Sequence, residues 1–91
     1  MKFDWDVDKA AANLRKRKIA FDLVSAVDWK SARIFSDDRR DYGEERQIAR
    51  AMIGVQLFVI VFVLRGDTMR LISFRKANRR ECALYGNETA I

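Results

Sequence analysis

The sequence predicts an α+β fold: an antiparallel sheet of about four strands, two N-terminal helices and a C-terminal helix. Three observations carry that reading. Leu57 to Leu64 is an apolar run dominated by Val, Ile and Phe, the composition of a buried strand. Turn signals bracket it, Gly54 on one side and Arg65-Gly66-Asp67-Thr68 on the other. Outside the strand region, apolar residues recur at helical spacing near the N-terminus, and a capping-box spacing appears near the C-terminus.

Each element follows in order. Phe3-Asp4-Trp5 suits a short strand. Asp6 or Asp8 can cap the next helix, because a carboxylate there accepts backbone N–H bonds and suits the helix dipole. Val7, Ala10, Ala11 and Leu14 define the expected apolar face of that helix. Arg15, Lys16, Arg17 and Lys18 crowd its C-terminal end, where cations are favoured. A second helix is expected over Phe21 to Val27, with Phe21, Val24 and Val27 on one side. Ala32, Ile34 and Ser36 then alternate with Arg33 and Phe35, as in a strand. Asp37 to Gly43 is a turn or loop. From Arg46 to Ile53 a strand would place Arg46, Ile48, Arg50 and Met52 on one face.

Gly54 turns the chain into Gln56 to Arg65, and Gly66 turns it again into Thr68 to Arg75. Short turns between consecutive strands imply an antiparallel meander, with the helices on one face. The continuous apolar strand also asks for cover on its second face, from the C-terminal helix or a partner chain. That last helix should begin near Asn78, with Glu81 completing the capping box, Gly86 just past its end, and Asn87 to Ile91 frayed.

At 91 residues, 49% apolar and 34% charged, residues 1–91 read as a single globular domain. Cys82 is the sole cysteine and histidine is absent, so zinc, haem and iron–sulfur sites are not expected and no cofactor is implied. The apolar run falls well short of the ~20 residues of a membrane span. A lone thiol and the lack of an apolar leader point to the cytoplasm. The net charge of +5 favours polyanionic partners.

The densest basic segment is Arg75-Lys76-Ala77-Asn78-Arg79-Arg80, running from a strand end into a helix N-terminus. Backbone N–H groups there attract anions, and arginine offers paired donors to phosphate. A solvated helix start explains such a cluster equally simply. Basic charge in a first helical turn nonetheless opposes the dipole, which hints at an external anion. Arg46 and Arg50 point the same way from one strand, although an ordinary exposed edge would look alike. Arg15 to Lys18 suit a helix end, and can extend the footprint for a long polyanion. Asp37, Asp38 and Asp41 read as loop acids, since Arg39 and Arg40 intervene and the spacing fits no calcium loop. Cys82, beside Ala83 and Leu84, reads as a buried structural thiol. Trp5 and Trp29 read as core anchors, with Tyr42 and Tyr85 left open.

Several of these patterns coincide in order. They are Phe3-Asp4-Trp5-Asp6, Lys9-Ala10, Asn13-Leu14-Arg15-Lys16, Phe21, Asp37-Asp38-Arg39 and Asp41-Tyr42-Gly43-Glu44-Glu45-Arg46. Ile72-Ser73-Phe74-Arg75-Lys76-Ala77-Asn78-Arg79-Arg80-Glu81 and Tyr85 complete the set. The set resembles the BrnT family, the toxin half of a bacterial type II toxin–antitoxin pair, from Phe3 to Tyr85. The resemblance implies a RelE-like ribonuclease fold, RNA cleavage that inhibits translation, and neutralisation by a BrnA-type antitoxin. Contact with DNA would arise only through the antitoxin complex. Two departures stand out. Lys16-Arg17-Lys18 replaces a frequent Lys-His-Gly, and Arg39 and Arg40 stand near where some members carry another histidine.

Metal-independent RNA cleavage requires the 2′-hydroxyl deprotonated, the leaving 5′-oxygen protonated and the phosphorane charge stabilised. Arg46, Arg75 and Arg79 are candidates for the charge, and Glu81 or Lys76 for proton movement. Arg15, Lys16, Arg50 and Arg80 are candidates for RNA binding. The competing expectations are a non-catalytic basic module holding nucleic acid or an acidic partner, and a purely structural partner subunit.

Overall fold

The computed structural model describes residues 1–39, 41 and 43–89, giving the backbone alone for 87–89. The elements are β1 (Lys2–Trp5), α1 (Val7–Arg17), a 3-10 helix (Phe21–Ala26), β2 (Asp28–Ser36), β3 (Gln47–Ile53), β4 (Gln56–Arg65), β5 (Thr68–Lys76) and α2 (Arg79–Thr89). Among the described residues, no helix is long and apolar enough to cross a membrane.

The sheet has five strands in the order β1-β5-β4-β3-β2. Strands β2 to β5 form the expected antiparallel meander, joined between β3, β4 and β5 by two-residue turns. Gly54 and Gly66 occupy the left-handed region of those turns, at φ 57° and 62°. The added strand is β1, which pairs parallel with β5 from Lys2–Thr68 to Trp5–Leu71. The sheet is therefore mixed, not a four-stranded antiparallel one. The chain starts at one edge, crosses one face through its helical segments, and begins the meander at the other edge. Its first and last strands thus become neighbours.

The second N-terminal helix is a six-residue 3-10 helix, not an α-helix. Phe21, Val24 and Val27 are all buried, and a spacing of three matches the three residues per turn of that geometry. They pack with Ala49, Ala51, Ile60, Phe62, Leu71 and Phe74 in one core. Trp5 and Trp29 pack against it as anchors, Trp5 edge-on to Phe21 at 5.9 Å and Trp29 edge-on to Phe62 at 6.3 Å.

Helix α1 is capped by Asp6, whose carboxylate accepts from the Asp8 and Lys9 amides at 2.8 and 3.1 Å. Its inward side differs from the expected apolar face. Val7 is 78% exposed and Leu14 50%, while Asn13 is buried. Asn13 governs this orientation. Its Nδ2 donates to the carbonyls of Phe74 (2.8 Å) and Ile19 (2.9 Å), and its Oδ1 accepts from the Phe74 amide (3.1 Å). Strand β1 stops opposite Leu71, so the side-chain amide supplies the pairing that Phe74 would otherwise lack. Leaving those groups dry and unbonded would cost more than exposing two aliphatic side chains.

A bulge in β5 complements this clamp. Val61 lies opposite Ser73 but Phe62 opposite Leu71, so Ile72 is the extra residue. Leu71 and Phe74 consequently both face the core, fully buried, while Ser73 and Arg75 face the other side.

Helix α2 opens with the expected capping box: the Glu81 amide donates to Asn78 Oδ1, and the Asn78 amide to Glu81 Oε1, both at 2.8 Å. The helix does not end at Gly86. It continues through Asn87 to Thr89, which are helical, not frayed; Ala90 and Ile91 lie outside the described residues. Gly86 is not in the left-handed conformation that makes glycine a helix terminator. Tyr85 anchors the helix by donating from its hydroxyl to the Ser31 carbonyl at 2.7 Å. Glu81 and Tyr85 thus mark the inward side, and Cys82 is exposed instead of buried.

Two stability outcomes follow. Asn13→Ala lowers the free energy of unfolding by at least ~1–3 kcal/mol, the penalty of leaving buried polar groups unsatisfied, measured by denaturant titration. Lys18 caps α1 in the left-handed region at φ 61°, so Lys18→Gly relieves strain and raises stability by ~1 kcal/mol in the same assay.

Candidate functional site

The face of the sheet away from α1 is built from two cross-strand rows. In one, Arg33, Arg50, Val59 and Arg75 lie side by side on β2 to β5. In the other, Phe35, Ile48, Val61 and Ser73 do so. Val59 therefore has an arginine on either side. Leu57, Val59, Val61 and Val63 are buried on this face too, which accounts for the unbroken apolar character of β4. Much of the cover comes from long arginine stems, which lie along apolar surface while their charged ends reach outward.

These rows form the floor of a cavity of about 310 Å3. Ile48, Val59, Val61 and Ile72 supply its apolar base, and Arg17, Arg39, Arg46, Arg50 and Arg75 surround it. Phe35, Ser73 and Glu81 complete the lining, with Glu81 the sole carboxylate among the described residues there. Each cation has a local reason to be present. Arg17 is in the last turn of α1, one helical turn beyond the Asn13 clamp. Arg39 is held by the buried Asp37, whose carboxylate accepts from Nε at 2.7 Å and Nη2 at 2.6 Å. The Asp37 amide also donates to the Arg46 carbonyl at 2.8 Å, closing the base of the long β2–β3 loop. Arg50 places its guanidinium 4.8 Å from the centre of the Phe35 ring.

Arg75 and Glu81 form a two-pronged pair, both bonds 2.7 Å. The guanidinium holds the Glu81 carboxyl below the usual carboxylate range; burial opposes the shift, and the Asn78 amide and the charge of Arg50 add to it. Reciprocally, the bond to Glu81 raises the Arg75 pKa. Glu81 is thus an anion that orients Arg75, not a stored proton.

Of the sequence-predicted residues, the fold brings Arg46, Arg50, Arg75 and Glu81 into this cavity. Arg79 and Arg80 are exposed on α2 and do not line it. Lys76 pairs with Phe58 and borders a depression with Ile19 and Leu23, on the helical side of the sheet. Arg15 is exposed on α1. Lys16 borders a shallower depression that shares Arg17, Ile72 and Ser73 with the main cavity. The basic stretch from Arg75 to Arg80 is therefore divided between three surfaces.

Arg17, Arg39, Phe35 and Ser73 went unrecognised in the sequence as parts of one site. Only Arg17 carried a local signal, four residues from a polar residue on a buried helix side. Arg40 and Tyr42 lie outside the described residues. Among those described, no three His, Cys, Asp or Glu side chains group as a metal site.

Comparison with curated proteins returns no match. Residues 5–81 match the family model of the ribonuclease toxin BrnT of type II toxin–antitoxin systems. That span runs from Trp5 on β1 to Glu81 on α2, so it includes every residue lining the cavity, and the chain belongs to the BrnT family of ribonuclease toxins.

Proposed function

We propose that this chain is an active endoribonuclease of that toxin class, cleaving RNA at the arginine-lined cavity without a metal ion and thereby inhibiting translation. The observation that carries the reading is the row Arg50–Val59–Arg75, two guanidiniums flanking one apolar residue, with Arg17, Arg39 and Arg46 around them. Strands lie ~4.8 Å apart, so the two backbones are separated by ~10 Å, a span that two long side chains can close upon one phosphate. Attack of O2′ forms the O2′–P bond as the P–O5′ bond breaks. The proton leaves the 2′-hydroxyl and the 5′-oxygen gains one. Negative charge grows on the non-bridging oxygens between these events, and fixed cations stabilise it most at that moment.

Glu81 keeps Arg75 aimed into the cavity, and its carboxylate is the ionised group nearest to hand for accepting a proton. Arg46 contributes to charge stabilisation. Arg15, Lys16, Arg79 and Arg80, exposed on the two helices, extend the surface along which the RNA backbone runs, with Lys76 outside the reacting centre. The protein acts in the cytoplasm as one unit over residues 1–91, in a RelE-like manner. A cognate antitoxin of the BrnA type neutralises it, and DNA is met only through that complex. A non-catalytic reading draws on the Arg75–Glu81 pair, which already satisfies two arginine donors. It predicts salt-sensitive RNA binding with the RNA left intact.

Incubation of the purified chain with RNA separates these readings. Cleavage should fall ~10²-fold or more in Arg50→Ala and in Arg75→Ala, the usual cost of one stabilising donor. Equal cleavage by wild type and the double variant would overturn the catalytic proposal.

A second outcome concerns acid. Because the folded pKa of Glu81 is depressed, its contribution is complete above the unfolded value of ~4.3 and is lost as pH falls through the lower folded value. The stability difference between wild type and Glu81→Gln should hold steady above about pH 5 and shrink below it, read from denaturant midpoints across pH.

A further inference from the structure

Phe35 has no role in the chemistry derived above, yet it stands on the same face as the arginines. It is 41% exposed on β2, directly opposite Ile48 and in the row with Val61 and Ser73. An aromatic ring kept half in water beside several cations contributes less to folding than the same ring in the core. Its surroundings suit a ligand that is anionic at one end and flat and apolar at the other. The arginines answer to the first property. The Phe35 ring and the aliphatic floor of Ile48 and Val61 answer to the second, which a bare phosphate would leave unused.

A cavity of about 310 Å3 lies at the small end of ligand sites, of the order of one nucleotide. In a duplex, the bases are stacked and paired, and their faces are out of reach of a recessed floor.

We propose that Phe35 is the base-stacking wall of a one-nucleotide cavity, which therefore takes an unstacked nucleotide from single-stranded RNA, base against Phe35 and phosphate on Arg50 and Arg75. This rests on the RNA reading above and adds to it the strandedness of the substrate and the residue that selects it. The Arg50 guanidinium is already seated at the Phe35 ring, so the base-binding and phosphate-binding parts of the site adjoin.

The test uses the full chain, a fluorescently labelled single-stranded RNA octamer and the same octamer annealed to its complement. Anisotropy binding is measured over a series of salt concentrations. The single strand should bind more tightly than the duplex. Phe35→Ala should weaken single-strand binding about tenfold or more, as expected for loss of one stacked base. The slope of log K against log salt should stay unchanged, because no charge is removed. Phe35→Leu, which keeps an apolar side chain at the half-exposed position but loses the ring face, should behave as Phe35→Ala, and Phe35→Trp should restore affinity. Arg50→Ala, in contrast, should flatten the salt slope.

Duplex binding as tight as single-strand binding, or unaltered affinity in both Phe35→Ala and Phe35→Leu, overturns the proposal. Cleavage scored in the same samples keeps the two readings apart. Cleavage that is indifferent to Phe35 sinks the stacking wall and leaves the ribonuclease standing. Binding that depends on Phe35 without cleavage does the reverse.

Discussion

The side-chain amide of Asn13 is the contact on which the rest of this structure depends. Strand β1 runs out opposite Leu71, and beyond it the edge of β5 meets a helix instead of a strand. Backbone groups in that position need partners, and an α-helix has none to lend from its middle turns. One asparagine meets the need, bonding both the amide and the carbonyl of Phe74 while tying in the Ile19 carbonyl that follows the helix. Helix, sheet edge and the approach to the 3-10 helix are thereby fixed to one side chain. The rotation of α1 about its axis is set by that bond, which explains why Val7 and Leu14 are turned to solvent.

The same register sets up the site. The bulge at Ile72 shifts the facing of β5, so that Phe74 enters the core and Arg75 enters the cavity. Without the extra residue, strict alternation would place residues 71, 73 and 75 on one face, and Arg75 would point at the hydrophobic core. The clamp on Phe74 holds the strand immediately beside this change of phase. Arg17, one turn beyond Asn13, reaches the cavity from the helix. A single buried polar contact thus lies next to two of the five arginines.

What could be read from the sequence was whatever had a local cause. The two tight turns, the meander and the Asn78–Glu81 capping box depend on residues close together in the chain, and each was legible. So was the shared face of Arg46 and Arg50, because strand alternation is itself local. The parallel pairing of β1 was not legible, since four residues carry no record of a partner more than sixty positions away. Nor was the bulge, which has no turn residue to announce it: Ile72 reads as one more strand residue. That omission hid the site, for the facing of Ser73 and Arg75 depends on it. The apolar pattern of α1 misled for a related reason, because a buried asparagine with three bonds outweighs two exposed aliphatic side chains. Cys82 illustrates the same limit: its neighbours in sequence are apolar, but its side of α2 is set by Glu81 and Tyr85.

An empty cavity lined by five arginines and one carboxylate is electrostatically unfavourable, and the structure shows how that cost is reduced. Glu81 takes Arg75, Asp37 takes Arg39, and the Phe35 ring faces Arg50. None of these neutralises the site as a whole, and the charge of Arg39 still acts to lower the Arg75 pKa. A phosphate between the guanidiniums would relieve that repulsion, and a phosphorane with its added negative charge would relieve it further. Repulsion among fixed cations therefore has a direction: it weakens the empty state most and the reacting state least, which is the condition for an electrostatic contribution to rate instead of to binding alone. The apolar floor reinforces this by keeping water away from one side of the charges, so that each interaction with phosphate is stronger than it would be in open solvent.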